Sequence, residues 1–136
     1  TINGITVIDD YANHPTAFAA NISAVKEKYP DSRIWAVIEP HTFSRPKATL
    51  PDYPTAFKQA HQVIISKIFA SRETDPGNFT GADIARSLPA GRRAIYIPEF
   101  SKIVSTLKVE TQPGDIILVM GSGDSSKLAH LILESL

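Results

Sequence analysis

Ile34-Trp35-Ala36-Val37-Ile38 offers no polar residue to either side of a β pleat. Successive side chains of a strand point to opposite faces, so a run that is apolar throughout must be covered on both. Val63-Ile64-Ile65, Ala94-Ile95-Tyr96-Ile97 and Ile116-Ile117-Leu118-Val119 also read as strands, and Ile5-Thr6-Val7-Ile8 is a further apolar run. Segments with helical spacing lie between them. Phe18, Ile22, Val25 and Tyr29 are 4, 3 and 4 apart and end at Pro30-Asp31. Ile84, Ala85 and Leu88 follow Thr80-Gly81-Ala82-Asp83; Phe100, Ile103, Val104 and Leu107 form a third set, and Leu128, Ile132 and Leu136 a fourth. Alternation of this kind predicts an α/β, Rossmann-like three-layer domain. Its sheet is mostly parallel, with helices on both faces and right-handed crossovers. Asn3-Gly4 signals a two-residue hairpin and predicts a short N-terminal strand folded back on residues 5–9. A helix is expected over Tyr53–Ala60. Residues 40–54, broken by four prolines, and residues 67–80, with Pro76-Gly77, are expected to be largely loop.

The 136 residues fit a single domain over 1–136. Fourteen basic and fourteen acidic residues cancel, which argues against a nucleic-acid arm or a polybasic membrane patch. The absence of cysteine excludes disulfides and thiolate metal sites. No leader or long apolar span is visible, so the chain reads as soluble and cytoplasmic. Thr1 in place of an initiator methionine is the start expected of a piece cut from a larger protein.

Polar clusters follow the first two strands: Asp9-Asp10-Tyr11-Ala12-Asn13-His14-Pro15 and Glu39-Pro40-His41-Thr42-Phe43-Ser44-Arg45. In open α/β sheets the loops at the carboxyl ends of strands form the ligand crevice. Asp9 reads equally as a cap, a solvated loop residue or a site residue. Asp10 beside Tyr11 suits a ligand better, since a carboxylate accepts vicinal ribose hydroxyls and a ring packs on a base or sugar. A receiver-domain reading fails because the third strand ends in Ser66-Lys67, not aspartate. His14 alone reads as structural; it gains weight from His41 and Arg45 at the neighbouring strand end. Asp10, His14 and His41 match no zinc spacing. Arg45 carries the planar fork that fits a carboxylate or phosphate, and Arg72-Glu73 repeats the arrangement more weakly, with a local ion pair as the alternative. His61 and His130 read as surface residues. Gly121-Ser122-Gly123-Asp124-Ser125-Ser126-Lys127 is not a Walker loop, because serine precedes the lysine and leucine follows it. It reads as a tight strand-to-helix turn at the cleft, with Asp124 or Ser125 as N-cap.

Val7-Ile8-Asp9-Asp10-Tyr11-Ala12, His14-Pro15-Thr16, Glu39-Pro40-His41-Thr42-Phe43-Ser44-Arg45, Ile68-Phe69-Ala70-Ser71-Arg72-Glu73, Gly114-Asp115-Ile116 and Met120-Gly121-Ser122-Gly123-Asp124 stand in one order along nearly the whole chain. In that order they resemble the C-terminal domain of the Mur ligases, most closely the alanine-adding members. The resemblance implies an ATP-dependent amide-bond-forming enzyme of peptidoglycan synthesis. Such enzymes activate a nucleotide sugar's carboxylate as an acyl phosphate, which an amino acid's amine attacks. It implies three domains: one for the UDP-sugar, a central one with the phosphate loop and most Mg²⁺ ligands, and a third that closes over ATP and the amino acid. This chain resembles the third, with ATP, L-alanine and UDP-N-acetylmuramate as the whole enzyme's ligands. Asp10, Tyr11, Asn13 and His14 would then belong to the ATP side. His41, Arg45 and Arg72 would belong to the amino-acid side, and Gly121 and Gly123 to the cleft loop. No residue of this domain is expected to be catalytic in itself or to hold metal, and the domain alone is expected to be inactive. Alanine-adding members usually carry two histidines before the proline; Asn13 stands at the first and cannot become cationic. The alternatives are a stand-alone nucleotide- or anion-binding α/β module, or the same domain of a murein-peptide recycling ligase.

Overall fold

A computed structural model describes residues 1–90 and 94–136. The five apolar runs form β1 (Thr6–Asp10), β2 (Ile34–Ile38), β3 (Gln62–Ile65), β4 (Ala94–Tyr96) and β5 (Ile116–Met120). They make one sheet in the order β1-β5-β2-β3-β4, and every pairing is parallel. The helices are α1 (Pro15–Lys28), α2 (Ser44–Ala48), α3 (Tyr53–Ala56), α4 (Gly81–Ser87), α5 (Phe100–Glu110) and α6 (Ser125–Ser135).

Alternation along the buried strands divides the core in two. Ile34, Ala36, Ile38, Val63, Ile65, Leu118 and Met120 pack with Phe18 and Ile22 of α1, Tyr53 and Ala56 of α3 and Ile84 of α4. Trp35, Val37, Ile64, Ile117 and Val119 pack with Ile103 and Leu107 of α5 and Leu128 and Ile132 of α6. The three-layer expectation holds. α4 begins with a capping box, in which Thr80 and Asp83 satisfy each other's amides.

Two local expectations are corrected. The N-terminal hairpin is a turn with a single antiparallel bridge, Ile2 to Ile5, and adds no strand to the sheet. Asn3 and Gly4 have φ of 53° and 80°, as a type I′ turn requires. A Cβ on Gly4 would lie 2.9 Å from Pro113 Cβ, so the turn is spent packing on the α5–β5 connection. The helix expected over Tyr53–Ala60 stops at Ala56. Phe57 leaves helical geometry and is fully buried, stacked on Phe18 with ring centroids 5.8 Å apart. Tertiary packing overrides helix propensity there. Residues 91–93, beside β4, lie outside the described residues.

The amino-terminal end of the sheet is tied by one buried carboxylate. Asp115 is 2% exposed and accepts Arg33 Nε at 2.9 Å, Arg33 Nη2 at 2.6 Å, Trp35 Nε1 at 3.1 Å and the Gln112 amide at 2.9 Å. Burial pushes its carboxyl up, but Arg33, the Gln112 amide and Trp35 outweigh it and hold it below its ordinary value. His61 also belongs here, edge-on to Trp35 at 5.5 Å with Nε2 3.3 Å from Arg33 Nη1, so it is not the bare surface histidine expected from the sequence.

An acid with a depressed folded pKa stabilises the fold above its unfolded pKa, and that stability is lost as pH falls through the folded value. Asp115→Asn is therefore expected to cost about 2–4 kcal/mol at pH 7, since it leaves a partly buried guanidinium unpaired. The deficit should shrink as pH drops below the ordinary carboxylate range. Urea unfolding of both proteins from pH 7 to pH 3 checks it; a pH-independent difference contradicts it.

Candidate functional site

Register sets the strand ends level: Asp10 beside Met120, Met120 beside Ile38, Ile38 beside Ile65, and Ile65 beside Tyr96. The chain leaves β5 toward the α5–α6 face. It leaves β1 and β2, on either side of β5, toward the α1–α3 face. Neighbouring strands whose chains depart to opposite faces open a crevice between them. Three loops meet there, residues 11–14, 39–43 and 121–124.

Asp10 is oriented from within its own loop. Its Oδ1 accepts the Ala12 amide and Asn21 Nδ2, both at 2.8 Å. Oδ2 accepts from no described residue, which leaves one carboxylate oxygen uncommitted. Tyr11 next to it is 78% exposed. His14 is the N-cap of α1, its Nδ1 accepting the Thr16 amide at 3.2 Å, so its ring serves the helix start.

Asn13 joins the three loops. Its Nδ2 donates to Ser122 Oγ at 3.0 Å, and Ser122 Oγ lies 3.0 Å from His41 Nδ1. The His41 ring stacks on Phe69 at 5.5 Å and 23°. Burial first, and then the nearby Arg45 guanidinium, lower the His41 pKa against an opposing pull from Glu73.

Gly121 and Gly123 act by close approach. A Cβ at Gly121 would lie 2.8 Å from Ser125 Oγ and 3.1 Å from Glu39 Cβ; at Gly123 it would lie 2.4 Å from the Phe69 ring. The loop therefore sits against β2 and the β3–α4 connection, and residue size decides which side chains fit. Neither Asp124 nor Ser125 caps α6 with its own side chain. Glu39 does so from across the crevice, its Oε1 accepting the Ser125 amide at 3.1 Å. Glu39 is 4% exposed. Burial pushes its carboxyl up to about 7, although the amides of Asp124, Ser125 and Gly123 favour the ionised form.

The second cluster turns at Thr42, whose φ is 61°. Glu73 holds the start of α2, accepting the amides of Phe43 at 2.8 Å and Ser44 at 3.0 Å and the Ser44 hydroxyl. The Ser44 hydroxyl and those two amides lower the Glu73 pKa. Arg45 projects into solvent from this held turn, its guanidinium hydrogen-bonded to no described residue. Arg72 is exposed and forms no ion pair with a described residue; the partner of this segment is Glu73, through α2. Among the described residues no three His, Cys, Asp or Glu gather to hold a metal ion, and no helix is long and apolar enough to cross a membrane.

The sequence assigned no individual role to Glu39, Ser122 or Asn21, and read Glu73 only beside Arg72. Glu39 had a signal. It continues the alternation of an all-apolar strand, so its side chain enters the interior. The others are polar loop or helix-face residues whose partners lie far along the chain.

The Mur ligase, glutamate ligase domain family matches residues 1–123. The chain belongs to the Mur ligase family. It is 41% identical over 134 residues to the UDP-N-acetylmuramate–L-alanine ligase of Acetivibrio thermocellus, covering 97% of this chain and 28% of that protein. The chain thus spans under a third of such a relative's length. Among solved structures it resembles the UDP-N-acetylmuramate-alanine ligase of Thermotoga maritima, with a TM-score of 0.77 at 21% identity over 97% of this chain and 26% of that one. A murein peptide ligase of Psychrobacter arcticus gives the same TM-score at 21% identity, over 98% and 28%. These two show that the fold is that of Mur ligase C-terminal domains, and the crevice between β1, β5 and β2 is this Mur ligase domain's candidate site.

Glu39 generates a test of the site's electrostatics. Its ordinary value is 4.5 and its folded value about 7, so between them the unfolded chain ionises while the folded one stays protonated. The folded state is then progressively destabilised as pH rises through that window. Glu39→Gln keeps an acceptor for Ser125 and cannot ionise. It is expected to gain about 1–3 kcal/mol over the parent at pH 8 and nothing at pH 4. Urea unfolding at pH 4, 6 and 8 reads this out; a loss of stability at pH 8 contradicts it.

Proposed function

We propose that this chain is the C-terminal lid domain of a three-domain, cytoplasmic, ATP-dependent ligase that joins L-alanine to UDP-N-acetylmuramate in peptidoglycan synthesis. The observation that carries the reading is the pairing, on one rim, of the open Asp10 carboxylate oxygen with the unengaged guanidinium of Arg45. A carboxylate with one committed and one open oxygen suits a ribose diol, and an exposed guanidinium on a held turn suits an α-carboxylate. The run Pro40-His41-Thr42-Phe43-Ser44-Arg45 and the names of the curated relatives support alanine as the amino acid.

In this reading Asp10 accepts hydroxyls of the ATP ribose, Tyr11 presents its exposed ring to the nucleotide, and Asn13 and His14 complete that side of the loop. Arg45 takes the alanine carboxylate with its fork, His41 lies beside it, and Arg72 adds positive charge at the same rim. ATP, with Mg²⁺ held mainly by the central domain, supplies the phosphoryl group that activates the acid. This domain's residues contribute by orienting the reactants and excluding water on closure. The 136-residue chain alone is expected to form no amide bond, and ATP-dependent ligation by it contradicts the lid reading.

In the full-length ligase, Arg45→Ala is expected to lower kcat/KM for alanine by one to two orders of magnitude. That corresponds to losing about 1.5–3 kcal/mol of charge-assisted hydrogen bonding. Arg45→Lys should restore activity incompletely, because an ammonium lacks the fork. Asp10→Ala should fall mainly on ATP. Steady-state kinetics with one substrate varied at a time decides it. An Arg45→Ala enzyme with unchanged alanine dependence and a raised KM for ATP assigns this arginine elsewhere.

A further inference from the structure

The Ser122 hydroxyl lies between two partners with different chemistry. Asn13 Nδ2 is an amide NH₂, which only donates, so at 3.0 Å Ser122 Oγ is the acceptor. The hydroxyl keeps one lone pair and its proton, and the proton is free to go to an acceptor. Among the described residues the one in reach is His41 Nδ1, at 3.0 Å. A histidine whose Nδ1 accepts carries its proton on Nε2. Ring position is not free either: His41 pairs with Phe69 through a parallel bridge and stacks on its ring. Gly123 lets the 121–124 loop lie against the Phe69 ring, since a Cβ there would strike it.

We infer that Asn13 and Ser122 form a positioning relay that fixes His41 as a neutral Nε2–H donor, so that the site selects a ligand carrying an acceptor, an α-carboxylate, at this point. The inference rests on the proposed amino-acid role of the rim, and it reaches a further conclusion about the chemistry. With Nδ1 occupied and Nε2 protonated, His41 has no lone pair to offer an incoming ammonium. It binds the amino acid and is not the base that deprotonates it. The charged groups facing His41 are Arg45 from α2 and Glu73 from the β3–α4 loop. Burial and Arg45 oppose a second proton, which keeps the ring in the donor form the relay sets. Asn13 thereby has a function that needs no charge: its amide occupies one Ser122 lone pair and orients the hydroxyl.

The test is the tautomer of His41 in the 136-residue chain, read by long-range ¹H–¹⁵N correlation of the ring nitrogens, with His41→Gln to assign the signal. The parent is expected to show one tautomer, protonated on Nε2. Ser122→Ala should show both tautomers, and Ser122→Thr, which keeps the hydroxyl, should restore one. A parent ring protonated on Nδ1, or a Ser122→Ala spectrum identical to the parent's, overturns the relay. In the full-length enzyme Ser122→Ala should raise the KM for the amino acid about tenfold, the weight of one oriented hydrogen bond, with the KM for ATP unchanged. A scrambled tautomer with an unchanged amino-acid KM leaves the relay standing and overturns the recognition role assigned to His41.

Discussion

β5 is hydrogen-bonded to β1 on one side and to β2 on the other, and all five of its residues are buried. Its side chains are apolar on both faces, so both faces must be covered. The chain meets this demand by sending α1 and α3 to one side and α5 and α6 to the other. Because β5 comes last yet is inserted between β1 and β2, its exit runs opposite to theirs. The crevice follows from this insertion. The same apolar burial that makes the sheet stable therefore places Asp10, Glu39, His41 and Gly121 around one opening.

Few side chains span that opening, and each crosses by a different means. Glu39 crosses by capping α6, whose own N-cap residue provides no side-chain bond. Asn13, Ser122 and His41 cross by a hydrogen-bonded chain. Gly123 and Phe69 cross by contact at a distance only glycine permits. Beyond the next strand end, Glu73 acts in a similar way, holding the turn from which Arg45 projects. Among the residues proposed to meet ligand, Arg45 has no hydrogen-bonded partner among the described residues and Asp10 keeps one oxygen uncommitted, while Asn13, His14 and His41 are held by the framework.

The layout was legible because periodicity is local. Apolar runs at β2 and β5 and the 4-3-4 spacing in α1 each announce an element within a few residues. Asp10 and Arg45 were legible as candidates because each follows such a run. The N-terminal strand and the far end of α3 were misread for one reason: Gly4 packs on Pro113 and Phe57 on Phe18, and neither partner is near in sequence. His61, read as a surface residue, gained Trp35 and Arg33 in the same way.

By itself the sequence determined the class of fold, the strand ends at which polar clusters gather, and the family the motifs resemble. Those properties depend on side-chain type at short spacing, which the order of residues states directly. Tertiary structure alone decided that β5 lies between β1 and β2, that Glu39 caps a helix 86 residues away, and that Asn13, Ser122 and His41 form one chain across 109 residues. These are pairings between polar groups distant in the chain. A hydrogen bond's direction and partner depend on where folding brings the backbone, which no local pattern records.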